Sequence, residues 1–246
     1  MLKLYSKSDV GLVRKSNEDA CRSGVFSEHA AWAVVCDGMG GVNGGNVASS
    51  IAVEKIAASI LSGYREGMDE SSVRELMASA VACANGAVHE VAGSDSALTG
   101  MGTTVVAAIV CGGEAHVAHA GDSRAYLISN GTIRQLTTDH SMVQEMIEKG
   151  DLTAQQAKTH PQKNIITRAL GVESSLRVDY SVTPFSQGDR LLICTDGLTN
   201  YLDADQILSL ALKLDGGPLT ERLIALAKEA GGSDNITVVI LEDEVA

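Results

Sequence analysis

Short apolar runs that end at Gly or Asp recur along the chain and predict buried β-strands. Several of these runs are rich in β-branched residues, which favour strands. The predicted strands cover residues 30–36, 103–111, 116–120, 124–128, 190–194 and 236–241. A Gly-Asp-Ser turn alone separates the third strand from the fourth, so the pattern predicts that these two pair as a hairpin.

Two longer segments have apolar residues at helical spacing. The first runs from Val47 to Ile60 and is followed by Gly63 as a stop signal. The second begins near Ser72, which with Glu75 matches a capping box, and ends near Gly93. Shorter helices are predicted over 141–149, 153–158, 204–214 and 219–230.

The order of these elements predicts the fold class. Strands and helices do not alternate regularly, which favours an α+β fold with helices packed on largely antiparallel sheets. The polar stretch 137–171 interrupts the strand pattern and is predicted to be a surface insert. Because no low-complexity linker occurs, residues 1–246 are predicted to form a single domain.

Composition and charge narrow the classes of function. The chain has 246 residues with 31 acidic and 19 basic side chains, which gives a net charge of −12. An acidic balance argues against nucleic-acid partners, because phosphate backbones attract Lys and Arg. Aromatic residues make up only 3% of the chain, so the core is predicted to consist of Ala, Val, Ile and Leu.

The cysteines and the lengths of the apolar runs indicate in which cellular compartment the protein is expected. The five cysteines include no C-x-x-C pair, and Cys36 and Cys194 lie in apolar runs, where a thiol acts as a small hydrophobe. Residues 1–11 lack the apolar stretch of a signal peptide, and no run reaches the ~18 apolar residues of a membrane span. A cytoplasmic protein without membrane association is predicted.

Acidic residues stand at the ends of the predicted core strands. Asp37, Asp122 and Asp196 each follow a strand, and Asp234 precedes the last one. A single Asp-Gly in such a place is typical of a turn. If the strands are neighbours, four carboxylates converge and repel one another unless cations neutralise them. Oxygen ligands of this kind suit Mg²⁺ or Mn²⁺.

Metal-held carboxylates favour phosphoryl chemistry. Two divalent ions can bridge a water, lower its pKa and offset charge on the phosphoryl oxygens. A phosphate also suits a guanidinium, which binds two oxygens at once, and Arg14 is the early candidate.

Other chemistries fit the spacing less well. The Cys-based phosphatase signature is absent, and the Gly-rich stretch 37–45, a candidate phosphate cradle, lacks the G-x-G-x-x-G order. A serine esterase could use Ser123 as nucleophile but needs a late histidine, and the last one is His160.

Eight short motifs together resemble the metal-dependent protein phosphatases of type 2C, especially the bacterial branch. The match extends from Gly11 to Val239. The motifs are R-x-x-N-E-D at 14–19, D-G-M-G-G at 37–41, G-T-T at 102–104, G-D-S-R at 121–124, D-H-S at 139–141, R-A-L-G at 168–171, D-G at 196–197 and D-N at 234–235.

The resemblance implies a four-layer α-β-β-α sandwich with a binuclear Mn²⁺ or Mg²⁺ centre at one end. Carried over by position, Asp37, the Gly38 carbonyl, Asp196 and Asp234 would hold the two core ions. Asp122 would hold a third, weaker ion together with Asp196. Activity would be hydrolysis of phosphoserine and phosphothreonine in proteins by a metal-activated water.

Further roles follow from the same resemblance. Glu18 and Asp19 would act through metal-bound waters, and Arg14 would bind the substrate phosphate. The insert 137–171 would be a flap beside the site, with His160 as a substrate contact.

The resemblance also leaves alternatives open. Met39 stands where animal enzymes carry a His proposed as general acid, so the proton donor is undetermined, and a metal-bound water could serve. The expected partners are phosphorylated proteins, such as a Ser/Thr kinase and its substrates, and the expected state is a monomer. The alternative function is a catalytically weak phosphoprotein-binding regulator of the same fold.

Overall fold

The computed structural model describes residues 1–40 and 44–244, which contain eleven β-strands and seven α-helices. The strands are β1 (Leu2–Asp9), β2 (Asp19–Ser27), β3 (Ala30–Met39), β4 (Gly102–Thr103), β5 (Val105–Cys111), β6 (Glu114–Ala120), β7 (Arg124–Ser129), β8 (Thr132–Gln135), β9 (Asp179–Pro184), β10 (Arg190–Cys194) and β11 (Ile236–Asp243). The helices are α1 (Gly44–Gly63), α2 (Glu70–Ser94), α3 (Met142–Lys149), α4 (Ala154–Ala157), α5 (Asp196–Thr199), α6 (Ala204–Ala211) and α7 (Gly216–Glu229). A short 3-10 helix lies at Ser96–Leu98.

The described strands form two sheets in which neighbouring strands are antiparallel. One sheet has the order β1-β11-β10-β7-β8, and the other has the order β2-β3-β5-β6-β9, with β4 paired to β3. The predicted strands are the central ones of these sheets. The strands that the sequence pattern did not predict, β1, β2, β8 and β9, are the four sheet edges, where residues are only partly buried.

Three apolar clusters hold four layers together. Between the sheets, small residues such as Ala33 pack against Val106 and Ile193. On the outer faces, α1 and α2 cover the β3 sheet, whereas α6 and α7 cover the β11 sheet. The predicted α-β-β-α sandwich with largely antiparallel sheets is therefore confirmed.

The predicted hairpin between the third and fourth predicted strands is wrong. β6 pairs with β5 and β9, whereas β7 pairs with β10 and β8, so the two strands belong to different sheets. Gly121 has φ +109°, and a Cβ there would lie 2.6 Å from Thr104 Cγ2. This conformation carries the chain from one sheet to the other. Asp122 consequently lies in a crossing turn at one end of the sandwich.

The predicted capping box of α2 is also wrong. The helix begins at Glu70, because Asp69 caps it by accepting a hydrogen bond from the Ser72 amide (2.9 Å). Gly93 lies inside this helix, which ends at Ser94. The physical reason is that an Asp three residues upstream offers the same cap and lengthens the helix by about one turn.

The insert 137–171 carries α3 and α4. An isolated bridge between Ser141 and Ile166 closes the insert on itself, and a second bridge, between Thr103 and Leu170, joins its end to β4. Among the described helices, none combines the length and hydropathy needed to cross a bilayer.

Candidate metal centre

Four strand ends bring the predicted carboxylates to one end of the sandwich. Asp37 lies late in β3, Asp196 opens α5 directly after β10, and Asp234 precedes β11. Asp122 lies in the crossing turn between β6 and β7. All four side chains belong to half-buried residues, so the group faces solvent on one side and protein on the others.

Burial and neighbouring negative charge shift the pKa values of Asp37, Asp122 and Asp196 upward. Burial raises the pKa of Asp37 well above its ordinary value, and neighbouring carboxylates raise it further. Those neighbours are Asp19, Asp196, Asp122 and Asp234. Burial and the Asp196 charge together raise the pKa of Asp122 to about 8. Such mutual repulsion favours neutralisation by protons or cations.

Asp19 lies opposite Asp37 across β2 and β3 and is 8% exposed. Its Oδ2 accepts hydrogen bonds from the hydroxyls of Thr195 (2.9 Å) and Thr237 (2.7 Å). Its Oδ1 is buried and has no hydrogen-bond partner among the described residues. Burial raises the pKa of this carboxyl to about 7. A buried acceptor without a donor suits an ordered water held by a cation.

The G-T-T motif holds the backbone of Asp37. Thr104 Oγ1 accepts a hydrogen bond from the Asp37 amide (3.0 Å), and Thr103 Oγ1 donates to the Asp37 carbonyl (2.9 Å). Thr104 Oγ1 is also hydrogen-bonded to Ser123 Oγ (2.7 Å), so a chain of hydroxyls connects Asp37 with the turn that carries Asp122. Ser123 is 1% exposed, which argues against its use as the nucleophile of an esterase.

The loop before β2 is anchored by the last motif. Asn235 Oδ1 accepts from the Glu18 amide (2.7 Å), and Asn235 Nδ2 donates to the carbonyls of Val10 and Ser16 (3.0 Å each). This loop carries Arg14, whose Nη2 donates to Asp234 Oδ2 at 2.8 Å. Arg14 and the four carboxylates therefore form one constellation.

Residues of the D-H-S motif hold the Asp122 turn on both sides. Arg124 makes a bidentate ion pair with Asp139 (2.6–3.1 Å). The His140 amide donates to the Gly121 carbonyl (2.9 Å), and the Gly121 amide donates to His140 Nδ1 (3.1 Å). In the sequence, Asp139 and His140 stand out only as part of a family motif. Their supporting role depends on contacts across the turn, which spacing alone does not reveal.

A second group of ligand-type side chains is formed by β6, the insert 137–171 and β9. Ligand atoms of His119, His140 and Asp179 lie within 4.8 Å of one another. Arg168 Nη1, however, lies 2.9 Å from His140 Nε2 and 3.1 Å from Asp179 Oδ1. Because the guanidinium already carries positive charge at that point, the group forms a partly buried network of ion pairs and hydrogen bonds rather than a cation site.

Three further residues of the sequence motifs and predictions do not belong to the group of carboxylates. His160 is in the flap, where its Nδ1 accepts from the Gln162 amide (3.2 Å), and its substrate role stays a prediction. Met39 ends β3 and lines a small cavity with Ile166 and Arg168. Gly41 of the D-G-M-G-G motif lies outside the described residues.

The donor set fits hard divalent cations. The convergent side chains offer only oxygen, and their repulsion requires positive charge. A Cβ at position 45 would lie 2.7 Å from the Gly38 carbonyl oxygen. Only glycine at this position therefore leaves space beside the carbonyl.

Known proteins resemble this chain over most of its length. Residues 13–230 match the family described as protein phosphatase 2C, and the chain belongs to that family. The serine/threonine phosphatase Stp of Listeria welshimeri is 38% identical over 242 residues, which cover 96% of this chain and 94% of that protein.

Solved structures of serine/threonine phosphatases share the fold. That of S. agalactiae superposes with a TM-score of 0.91 at 32% identity, covering 98% of this chain and 99% of the other. The catalytic domain of PstP, in complex with two manganese ions, gives a TM-score of 0.86 at 32% identity, covering 98% and 97%. The predicted family and enzyme class, a protein phosphatase, are confirmed.

Proposed function

We propose that this chain is a serine/threonine protein phosphatase with a binuclear Mn²⁺ or Mg²⁺ centre. Asp37, the Gly38 carbonyl, Asp196 and Asp234 would hold the two core ions. Asp122 would hold a third, weaker ion together with Asp196. The observation that carries the proposal is the convergence of these carboxylates, whose burial and mutual charge raise the pKa of Asp37, Asp122 and Asp196.

The ions would supply an activated water and offset charge on the phosphoryl oxygens. The manganese-bound PstP structure supports this choice of metal. Asp19 Oδ1 has no hydrogen-bond partner among residues 1–40 and 44–244, which supports a role for Asp19 in accepting a hydrogen bond from an ordered water. Glu18, whose pKa is raised by burial, would accept from a second water.

Arg14 would bind the phosphate and orient it for in-line attack. Its side chain is 49% exposed, so it can turn towards a substrate while the loop behind it stays anchored by Asn235. Met39 carries no ionisable proton, so the leaving serine or threonine must take its proton from another group or from water.

The substrates would be phosphorylated proteins, including a Ser/Thr kinase and its targets. The chain would act as a cytoplasmic monomer and as a single domain, with 137–171 as the flap beside the centre and His160 as a contact for the substrate. The alternative, a catalytically weak phosphoprotein-binding regulator, would bind phosphopeptides without turnover.

A direct experiment separates the two. Turnover of p-nitrophenyl phosphate and of a phosphothreonine peptide is measured with Mn²⁺ and with EDTA. Metal-dependent turnover of both is the expected result. Binding of the peptide without phosphate release, at saturating Mn²⁺, would support the regulator instead.

A further inference from the structure

A cleft of about 480 Å³ adjoins the candidate metal centre. Its lining includes Asp122 and Asp196 together with residues of the flap and of α5 and α6. We call it the flap cleft. Its size falls within the range of pockets that hold several side chains of a ligand. Because it shares two residues with the centre, a chain that places its phosphate at the metals can continue into it.

The flap wall of this cleft is amphipathic. Val143 and Ile147 of α3 and Ala157 of α4 contribute apolar surface, and Leu202 contributes more from the opposite side. Val143 and Ala157 are buried, so they hold the wall in place rather than leaving it to collapse.

Some charged side chains of the flap cleft form ion pairs, and others form none among the described residues. Arg124 is neutralised by Asp139, whereas Asp203 accepts a hydrogen bond from the Gln206 amide as the N-cap of α6 and keeps its negative charge. Lys158 and Lys163 also line the cleft, are exposed, and form no ion pair among residues 1–40 and 44–244. In a chain with a net charge of −12, this wall presents unpartnered positive charge.

We propose that the flap cleft binds the substrate segment next to the phosphorylated residue, and that Lys158 and Lys163 select acidic side chains in that segment. The proposal rests on the proposed phosphatase function and names its substrate class. Long-range attraction of this kind favours Asp or Glu over neutral residues, and salt weakens it.

The test uses three phosphothreonine peptides that differ only in the flanking residues, which are Glu, Gln or Lys on both sides. For the wild-type enzyme with Mn²⁺, kcat/KM should be higher for the Glu peptide than for the Gln peptide by about two- to fivefold per lysine engaged. The double variant Lys158→Gln/Lys163→Gln should lose this preference. The double variant Lys158→Glu/Lys163→Glu should reverse it in favour of the Lys peptide.

Lys149→Gln is the matched control. Lys149 is on the same flap but lies outside the lining of the cleft and already pairs with Glu145, so its loss should leave the preference unchanged. Turnover of p-nitrophenyl phosphate, which has no flanking residues, should be equal in all variants.

The outcomes separate the two levels of the proposal. If the wild type turns over no p-nitrophenyl phosphate with Mn²⁺, the phosphatase function itself fails. If it turns over p-nitrophenyl phosphate but treats the Glu and Gln peptides alike, or if Lys149→Gln changes the preference as much as the cleft variants do, the acidic subsite is refuted.

Discussion

Arg14 and Asp234 lie 220 residues apart in the chain and are joined by a hydrogen bond of 2.8 Å between Nη2 and Oδ2. The ion pair is half-exposed, with 49% of the Arg14 side chain and 30% of the Asp234 side chain accessible. An exposed pair of this kind contributes little to stability. The guanidinium therefore stands beside a proposed ligand without being locked to it, and it can exchange that carboxylate for a phosphate.

Replacing Arg14 with alanine should weaken the phosphate contact. A bidentate, charge-assisted contact contributes about 1.5–3 kcal/mol, so kcat/KM should fall by about 10–150-fold. The Mn²⁺ isotherm measured by calorimetry should change little, because the Asp234 pair is weak. Arg22→Ala, on the exposed side of β2, is the control. If Arg14→Ala changed the Mn²⁺ affinity more than KM, the phosphate-binding role proposed for Arg14 would be wrong.

Asp37→Asn and Asp196→Asn should each remove most activity. Even residues that only support a ligand cost about 10–100-fold when mutated, and loss of a ligand should exceed that range. Tight Mn²⁺ binding should fall with activity in the calorimeter. Asp205→Asn removes a comparable charge from an exposed position in α6 and should have no effect. Normal turnover in both ligand variants at saturating Mn²⁺ would contradict the proposed centre.

Asp122→Asn should act differently from the core substitutions. Asp122 lies in the crossing turn between β6 and β7, and in the proposed centre it would hold only the third ion, together with Asp196. Tight Mn²⁺ binding should persist, whereas turnover at low Mn²⁺ should fall. Loss of the tight sites in calorimetry would instead place Asp122 among the core ligands.

The metal-free protein should lose stability as pH rises. In the folded state the pKa of Asp19 is about 7 and that of Asp122 about 8, against an ordinary value of 3.8. Between these values the folded chain binds more protons than the unfolded chain, so the free energy of unfolding falls with increasing pH. The urea midpoint in EDTA should therefore be lower at pH 8 than at pH 5. Asp122→Asn should make the urea midpoint depend less on pH. A urea midpoint that rises with pH would contradict the raised pKa values of Asp19 and Asp122.

Gly38→Ala should destabilise the fold at the site. A Cβ at Gly38 would overlap the carbonyl of Gly45 and approach the Glu18 carbonyl oxygen to 2.6 Å. Overpacking of this kind costs about 1–3 kcal/mol, which a shift of the urea midpoint would report. Gly86→Ala is the matched control, because Gly86 is an exposed position inside α2 with no atom within 4 Å of the new Cβ. That change should stabilise the protein by up to about 1 kcal/mol, and equal effects at both positions would rule out the steric explanation.

Patterns along the chain were sufficient to predict the elements that are buried in the centre of the fold. β3, β5, β10 and β11 appear as apolar runs because both faces of each strand are covered. The motifs likewise identify Asp37, Asp122, Asp196 and Asp234 as candidate ligands. Buried strands and short motifs are both made of consecutive residues, so the amino-acid sequence alone can reveal them.

The pairing of the strands and the meeting of distant side chains depend instead on the folded chain. The edge strands β1, β2, β8 and β9 carry polar residues at many positions because solvent reaches them, so no continuous apolar run predicted them. The crossing of residues 121–123 between the sheets likewise depends on partners far along the chain. Asp19 receives its hydroxyl donors from Thr195 and Thr237, more than 170 residues away. Such contacts form through the packing of the two sheets, and packing is a property of the tertiary structure rather than of any local run of residues.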